Sequence, residues 1–175
     1  FTMTDEGLAQ EFLGVRIIQR PGLVTLDQQH YCETITREFK RYIGRRNYSE
    51  VPMQANAELY AVFEATPEQA DWVARFPYAT ILGKIVYLTA ITRPDIAYAV
   101  SMLSRFMAQP TYRACQAITR LLHYLSRRPH YGLVYRGNGL NMHAYSDSDW
   151  ATCPVTRRSV SGTLVFMCGA PVSWM

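Results

Sequence analysis

The run from Tyr78 to Ile91, YATILGKIVYLTAI, is apolar almost all the way round a helix. It falls short of the roughly 20 apolar residues that a membrane span requires. A helix with no polar face must be covered by protein on every side, so this run predicts the middle of a helical core. Gly83 interrupts it at a cost of about 1 kcal/mol relative to alanine, which predicts a close helix crossing there. With 175 residues, 49% of them hydrophobic and 18% charged, the chain can hold one cored domain, or one domain and part of another.

The flanking segments carry the covering pattern. Thr66-Pro67-Glu68-Gln69 is a capping box with proline at the first helical position, predicting a short helix to about Arg75. Thr92-Arg93-Pro94-Asp95 opens a helix with the stripe Ile96, Ala99, Val100, Leu103, Phe106 and Met107, stopped by Pro110. Thr111 to Arg127 is the most legible helix, buried through Ala114, Ala117, Ile118, Leu121, Leu122 and Leu125. Before these, residues 11–19 and 23–26 read as strands joined by the turn Arg20-Pro21-Gly22. Asp27 then caps a helix with the stripe Tyr31, Ile35 and Phe39, and Gly44 is a suitable stop. After residue 130, strands are expected at 131–136, 141–149, 163–167 and 171–174, with turns at Gly137-Asn138-Gly139 and at Gly169. Helices in the middle and strands at both ends predict an α+β fold.

Charge is unevenly spread. The net charge is +4, and 16 of the 18 basic residues are arginine. Between Ile96 and Ser146 there is no acid, yet Arg105, Arg113, Arg120, Arg127, Arg128 and Arg136 fall there. Arg113, Gln116, Arg120, His123 and Arg127 recur at steps of three and four, so they stack along one exposed side of their helix. Such a row can track phosphates; an ordinary solvated helix face is the alternative. Arg37, Lys40 and Arg41, followed by Arg45 and Arg46, form a second basic cluster that Glu38 offsets in part. Tyr124, Tyr131 and Tyr135 either stack on bases or pack in the core.

Asp147 and Asp149, in HAYSDSDW, share one face of a strand. They can begin a hard-cation site but not finish one, because phosphate-cleaving sites surround their metals with more oxygen ligands. A solvated strand end is the other reading. No acid follows them in the chain, and the four cysteines and four histidines have no zinc spacing. The cysteine usage predicts a reduced intracellular setting, cytoplasmic or nuclear. The opening FTMTDEGLAQ has no basic residue and no secretory pattern, and its first residue is not methionine, which predicts a start inside a larger reading frame.

Five runs, taken in order, resemble the pol polyprotein of copia-type LTR retrotransposons: FTMTDEGLAQEFLGVRI, LDQQHYCETITREF, YATILGKIVYLTAITRPDIAYAVSMLSRFMAQP, AITRLLHYLSRRPHYGLVY and AYSDSDWATCPVTRRSVSGTLVFMCGAPVSW. The resemblance implies that residues 1–26 end a polymerase palm, with Phe12, Leu13 and Gly14 matching a primer-grip-like hairpin. It implies a mainly helical thumb and connection over 27–136, and three antiparallel strands beginning an RNase H-like fold over 137–175. Asp147 matches the family's first metal-binding carboxylate, so it is expected on a central sheet strand, with Asp149 as a weaker candidate. The polymerase Asp-Asp box would lie before residue 1, and the helix with the next RNase H acid after Met175. The implied cofactor is Mg²⁺ or Mn²⁺ in the intact parent, with none held tightly by this piece. The implied partners are an RNA–DNA hybrid or duplex and the rest of the polyprotein, and no membrane. The resulting expectation is a reverse transcriptase piece that holds template-primer and is inert alone. A non-catalytic nucleic-acid-binding module and a functionless truncated product are the alternatives. Three strands without covering helices also predict self-association.

Overall fold

The computed structural model describes residues 3–5, 7–43, 50–54, 59–60, 64–137, 139–150, 157 and 159–175. In chain order the elements are β1 (Glu11–Phe12), β2 (Val15–Arg20), β3 (Leu23–Asp27), α1 (Gln29–Glu38), α2 (Pro67–Arg75), α3 (Tyr78–Ile91), α4 (Ala97–Ser104), α5 (Tyr112–Arg127), β4 (Gly132–Arg136), β5 (Met142–Asp149), β6 (Val160–Met167) and β7 (Ala170–Trp174). Two antiparallel sheets, ordered β1-β2-β3-β4 and β5-β6-β7, flank the helices in sequence, an α+β architecture.

The helix starts follow local chemistry. Thr66 Oγ1 accepts from the Gln69 N–H while the Gln69 side chain accepts from the Thr66 N–H, closing the capping box of α2. Thr111 Oγ1 accepts from the Ala114 N–H at the start of α5. α3 buries Tyr78, Ile81, Leu82, Ile85 and Leu88 against α1, α4 and α5. Each fully buried Leu or Ile contributes about 1.5–3 kcal/mol, so α3 anchors the bundle, but it is not covered on every side as its sequence predicts: Ala79, Gly83, Val86 and Ala90 form an exposed stripe. α4 ends at Ser104, earlier than its stripe predicts; Phe106 is still buried, but Met107 turns out to solvent.

Gly83 does not mark a helix crossing. A Cβ built there meets nothing within 4 Å. The position is exposed and helical, so Gly83→Ala is expected to raise stability by about 0.5–1 kcal/mol through the entropy of the unfolded chain. Urea denaturation is the check, and no gain would mean that α3 is constrained there in some other way.

The first sheet is larger than a hairpin. Residues 11–19 are not one strand, because Leu13 and Gly14 both adopt positive φ (49° and 72°) and turn the chain tightly between β1 and β2. Leucine gives no sequence sign of such a turn. β4 then returns after α5 to pair with β3, from Leu23 opposite Arg136 to Asp27 opposite Gly132. The second sheet is a meander, and the β6–β7 turn carries Cys168 and Gly169 at φ 53° and 83°. Among the described residues, three hydrogen bonds tie it to the first body. The Arg136 N–H donates to the Cys168 carbonyl at 2.8 Å, Tyr135 Oη donates to the Pro171 carbonyl at 2.7 Å, and Trp174 Nε1 donates to the Thr89 carbonyl of α3 at 2.8 Å. Expectations placed on Gly44, Arg45, Arg46, Asn138 and Cys153 lie outside the described residues.

Candidate nucleic-acid interface

All three spaced arginines lie on the single continuous helix α5. Seven residues fall about 20° short of two full turns, so Arg113, Arg120 and Arg127 project on one side. Arg127 is exposed, while Arg113 and Arg120 are half-buried beside the apolar face. The Nε of Arg120 is enclosed and has no acceptor. Long arginine stems commonly lie along apolar surface in this way while the head reaches water.

The second basic cluster, Arg37, Lys40 and Arg41, is exposed at the end of α1 and in the 3₁₀ turn Lys40–Tyr42. Glu38 is engaged elsewhere, accepting from Lys84 Nζ of α3 at 2.6 Å. A chain of ring contacts joins the two clusters. The Arg41 guanidinium lies 4.7 Å over Tyr42; Tyr42 meets Phe76 at 4.8 Å, Phe76 meets Trp72 at 4.9 Å, and Trp72 meets Tyr112 at 5.4 Å, next to Arg113. Arg41 and Arg113 therefore stand at the same end of the bundle. Beside Arg41 lies a cleft of about 530 Å³ lined by Arg41, Tyr42, Glu68, Asp71, Trp72 and Arg75. Its floor is apolar and its rim carries both signs of charge, with Asp71 and Arg75 paired across one turn of α2.

The β1–β2 turn projects. Phe12 and Leu13 are 66% and 71% exposed. The Leu13 carbonyl accepts from the Tyr87 hydroxyl of α3, and Tyr87 in turn packs edge-on against Tyr31 at 5.3 Å. The tip with Phe12, Leu13 and Gly14 is thus tied to the helical body instead of swinging free. Burial raises the Tyr31 phenol pKa, so it stays neutral in that contact.

Asp147 and Asp149 lie on β5, opposite Gly162 and Val160 of β6. Asp147 is exposed and accepts from the Ser148 N–H at 2.9 Å. β5 is an edge strand of the described sheet, where the sequence reading expects a central one. The cause is topological: sequential hairpins lay β5, β6 and β7 side by side in order, which leaves the first strand outermost. Among the described residues no group of three His, Cys, Asp or Glu side chains could hold a metal ion. The carboxylates present therefore do not by themselves fit a two-metal centre.

Sequence reasoning misses the main buried polar network. Arg93 is 1% exposed. Its Nε and Nη2 donate to the two Asp95 oxygens at 2.8 Å each, and Nη1 donates to the Arg128 carbonyl at 2.9 Å. Tyr124 Oη donates to Asp95 Oδ2 at 2.8 Å. Burial opposes the Arg93 charge, but the Asp95 bonds and charge outweigh it, and the pKa is raised. Burial, then the bond to Asp95, pushes the Tyr124 phenol up to about 12, keeping it a donor. Thr92 Oγ1 donates to Gln28 Oε1 at 2.8 Å. The Thr92-Arg93-Pro94-Asp95 motif is therefore a tie between α1, α4 and α5 as well as a helix start. Of the three tyrosines, Tyr124 is core, Tyr135 is half-buried and Tyr131 is exposed beside Arg93 and Arg128. His123 is half-buried and His130 is exposed. Burial pushes the Cys32 and Cys115 thiols up to about 11 and 12.

No family model matches the chain, and no solved structure matches it. Curated relatives do. The chain is 32% identical over 175 residues to an uncharacterized mitochondrial protein of Arabidopsis thaliana, covering 99% of this chain and 69% of that one. It is 33% identical over 175 residues to the retrovirus-related Pol polyprotein from transposon RE1 of Arabidopsis thaliana, and 30% identical over 179 residues to that from transposon TNT 1-94 of Nicotiana tabacum. Each match takes in 99% of this chain but only 11% and 13% of the polyproteins. With identity of this level running through both sheets and the whole bundle, the chain belongs to the retrovirus-related Pol polyproteins of copia-type transposons.

Proposed function

We propose that this chain holds the backbone of an RNA–DNA hybrid or duplex as part of a retrotransposon reverse transcriptase. In this reading residues 1–26 close the palm, 27–136 form the thumb and connection, and 137–175 begin an RNase H-like domain. The observation that carries it is the single-sided row of Arg113, Arg120 and Arg127 on α5, within a stretch that has no acid from Ile96 to Ser146. Three further features support it. Arg37, Lys40 and Arg41 are exposed, and Arg41 stands at the same end of the bundle as Arg113. The enclosed Nε of Arg120 lacks an acceptor, which a phosphate oxygen supplies if the side chain shifts. The Phe12-Leu13 tip is apolar, exposed and fixed to α3, suited to lying against sugar and base edges.

Cleavage is not assigned to these residues alone. Asp147 contributes one carboxylate, and Mg²⁺ or Mn²⁺ belongs to the larger assembly in which further carboxylates complete the site. Gel shift on hybrid, duplex and single strand at two salt concentrations is the test. Changing Arg113, Arg120 and Arg127 together to glutamine should weaken binding to all duplex sequences alike. It should also flatten the slope of log K against log salt by roughly 2–3 units, about 0.9 for each phosphate that is no longer neutralised. Absence of binding at low salt removes the proposal. Turnover of a hybrid with Mg²⁺ or Mn²⁺ that Asp147→Asn abolishes would show that cleavage needs no further carboxylates.

A further inference from the structure

The cleft beside Arg41 takes no part in the row on α5. Its walls come from the 3₁₀ turn Lys40–Tyr42 and from α2. Tyr42 and Trp72, both half-buried, form its floor, and the exposed Arg41, Glu68, Asp71 and Arg75 form its rim. Phe76 backs both rings, at 4.8 Å from Tyr42 and 4.9 Å from Trp72, so the floor is held by the core. At about 530 Å³ the cleft is the size of pockets that take small ligands.

The rim decides what fits. Its two guanidiniums and two carboxylates cancel in charge. Asp71 and Arg75 pair with each other, and a hydrogen bond with the Thr66 side chain holds the Glu68 carboxyl below its usual range, so both acids are charged. A phosphate placed inside meets Glu68 and Asp71, and a lysine or arginine of a protein partner meets Arg41 and Arg75. A flat, uncharged ring with polar edges meets neither objection. It stacks on the floor, offers amino donors to the carboxylates and accepts from the guanidiniums. A nucleobase is such a ring. The surroundings supply its phosphates with partners: Arg41 belongs to the exposed cluster with Arg37 and Lys40. Trp72 also packs at 5.4 Å on Tyr112, the residue before Arg113.

We propose that this cleft receives one unpaired base of a single strand leaving the end of the bound duplex, with the ring against Trp72 and Tyr42 and a flanking phosphate at Arg41. The inference rests on the proposed hold of a duplex by α5. It goes beyond that reading by assigning a second site, for unpaired nucleotide, at the Arg113 end of the row. Stacking on aromatic side chains tolerates every base, so the site reads the state of the strand and not its sequence.

The test varies the nucleic acid first, which leaves the protein unaltered. A short RNA–DNA hybrid with a single-stranded extension should bind the full chain about tenfold more tightly than the same hybrid with flush ends, in at least one polarity. Replacing the bases of the extension by abasic sugars keeps every phosphate and should abolish the gain. Variants are then read as the ratio of extended to flush affinity within each protein. Trp72→Leu should bring that ratio close to one, and Arg41→Gln should lower it. Trp72 also packs on Phe76 and Tyr112. If Trp72→Leu loses its helical circular dichroism, the abasic comparison in the unaltered chain decides alone. Extended and flush hybrids bound equally overturn the proposal. So does an abasic extension that keeps the full gain, because the phosphates alone then account for it. A flush hybrid that does not bind at low salt removes the duplex reading, and this inference with it.

Discussion

Asp95→Ala is expected to destabilise the chain by about 3 kcal/mol, because it strands the enclosed charge of Arg93, although the Asp95 side chain itself is 29% exposed. Arg93 has no alternative. It is 1% exposed, its Nε and one Nη point at Asp95, and its third bond goes to a carbonyl already held by geometry. Tyr124 loses its acceptor in the same substitution. For a chain of this length 3 kcal/mol corresponds to roughly 6–12 °C in Tm. Asp95→Asn keeps an acceptor and should cost less than alanine. Thermal and urea unfolding of the two variants give the order directly. An Asp95→Ala protein within about 0.5 kcal/mol of the parent would show that Arg93 finds water or another anion, and that the network does not tie α4 to α5.

Gly132→Ala should be nearly as damaging, for a steric reason. A Cβ on Gly132 meets the Leu26 carbonyl oxygen well inside contact distance, and Asp27 Cβ and Cα at 2.8 and 3.0 Å. Two of these three atoms belong to the backbone of β3, which cannot rotate away. The strand pair must part at its Asp27 end, where Asp27 Oδ2 accepts from Arg16 Nε at 3.0 Å and Oδ1 accepts from the Gln29 N–H at 3.1 Å. A cost of about 3 kcal/mol is expected from overpacking, and amide exchange should quicken at Leu26, Asp27 and Leu133. Protection there equal to that of the parent would show that β4 accommodates the methyl by sliding. Gly83→Ala is the counterpart: the same substitution, opposite sign, because one glycine faces open space and the other faces backbone.

What the sequence reveals here is what acts locally. Thr66 with Gln69, and Thr111 ahead of α5, cap within a few residues of themselves, so α2 and α5 have the bounds that their capping patterns predict. α3 is legible because an apolar run bounded by Pro77 and Thr92 has few alternatives. The row on α5 is legible because seven residues nearly complete two turns. Four features are hidden for separate reasons. The turn at Leu13 puts a γ-branched residue where glycine or asparagine is the usual sign. Arg93 reads only as part of a helix start, and nothing adjacent announces that Tyr124 and the Arg128 carbonyl will close the network around it and Asp95. Gly83 reads as a packing device, yet its surroundings are empty. Asp147 reads as a central-strand acid, but its place in the sheet depends on which strands lie beside it, and that is a property of the assembled sheet.

The bond ladder between β3 and β4 joins stretches of chain separated by about 110 residues. Bringing such distant segments together carries a loop entropy that no local contact offsets. On the ribosome β1, β2 and β3 emerge before the bundle and wait roughly 5–20 s for β4 at ordinary elongation rates. In that interval α1 to α5 can collapse around α3, and their packing delivers β4 to an edge already in place. The bundle thus works as a jig for the sheet, and defects that slow helix assembly will be felt as an unprotected strand far away in the sequence.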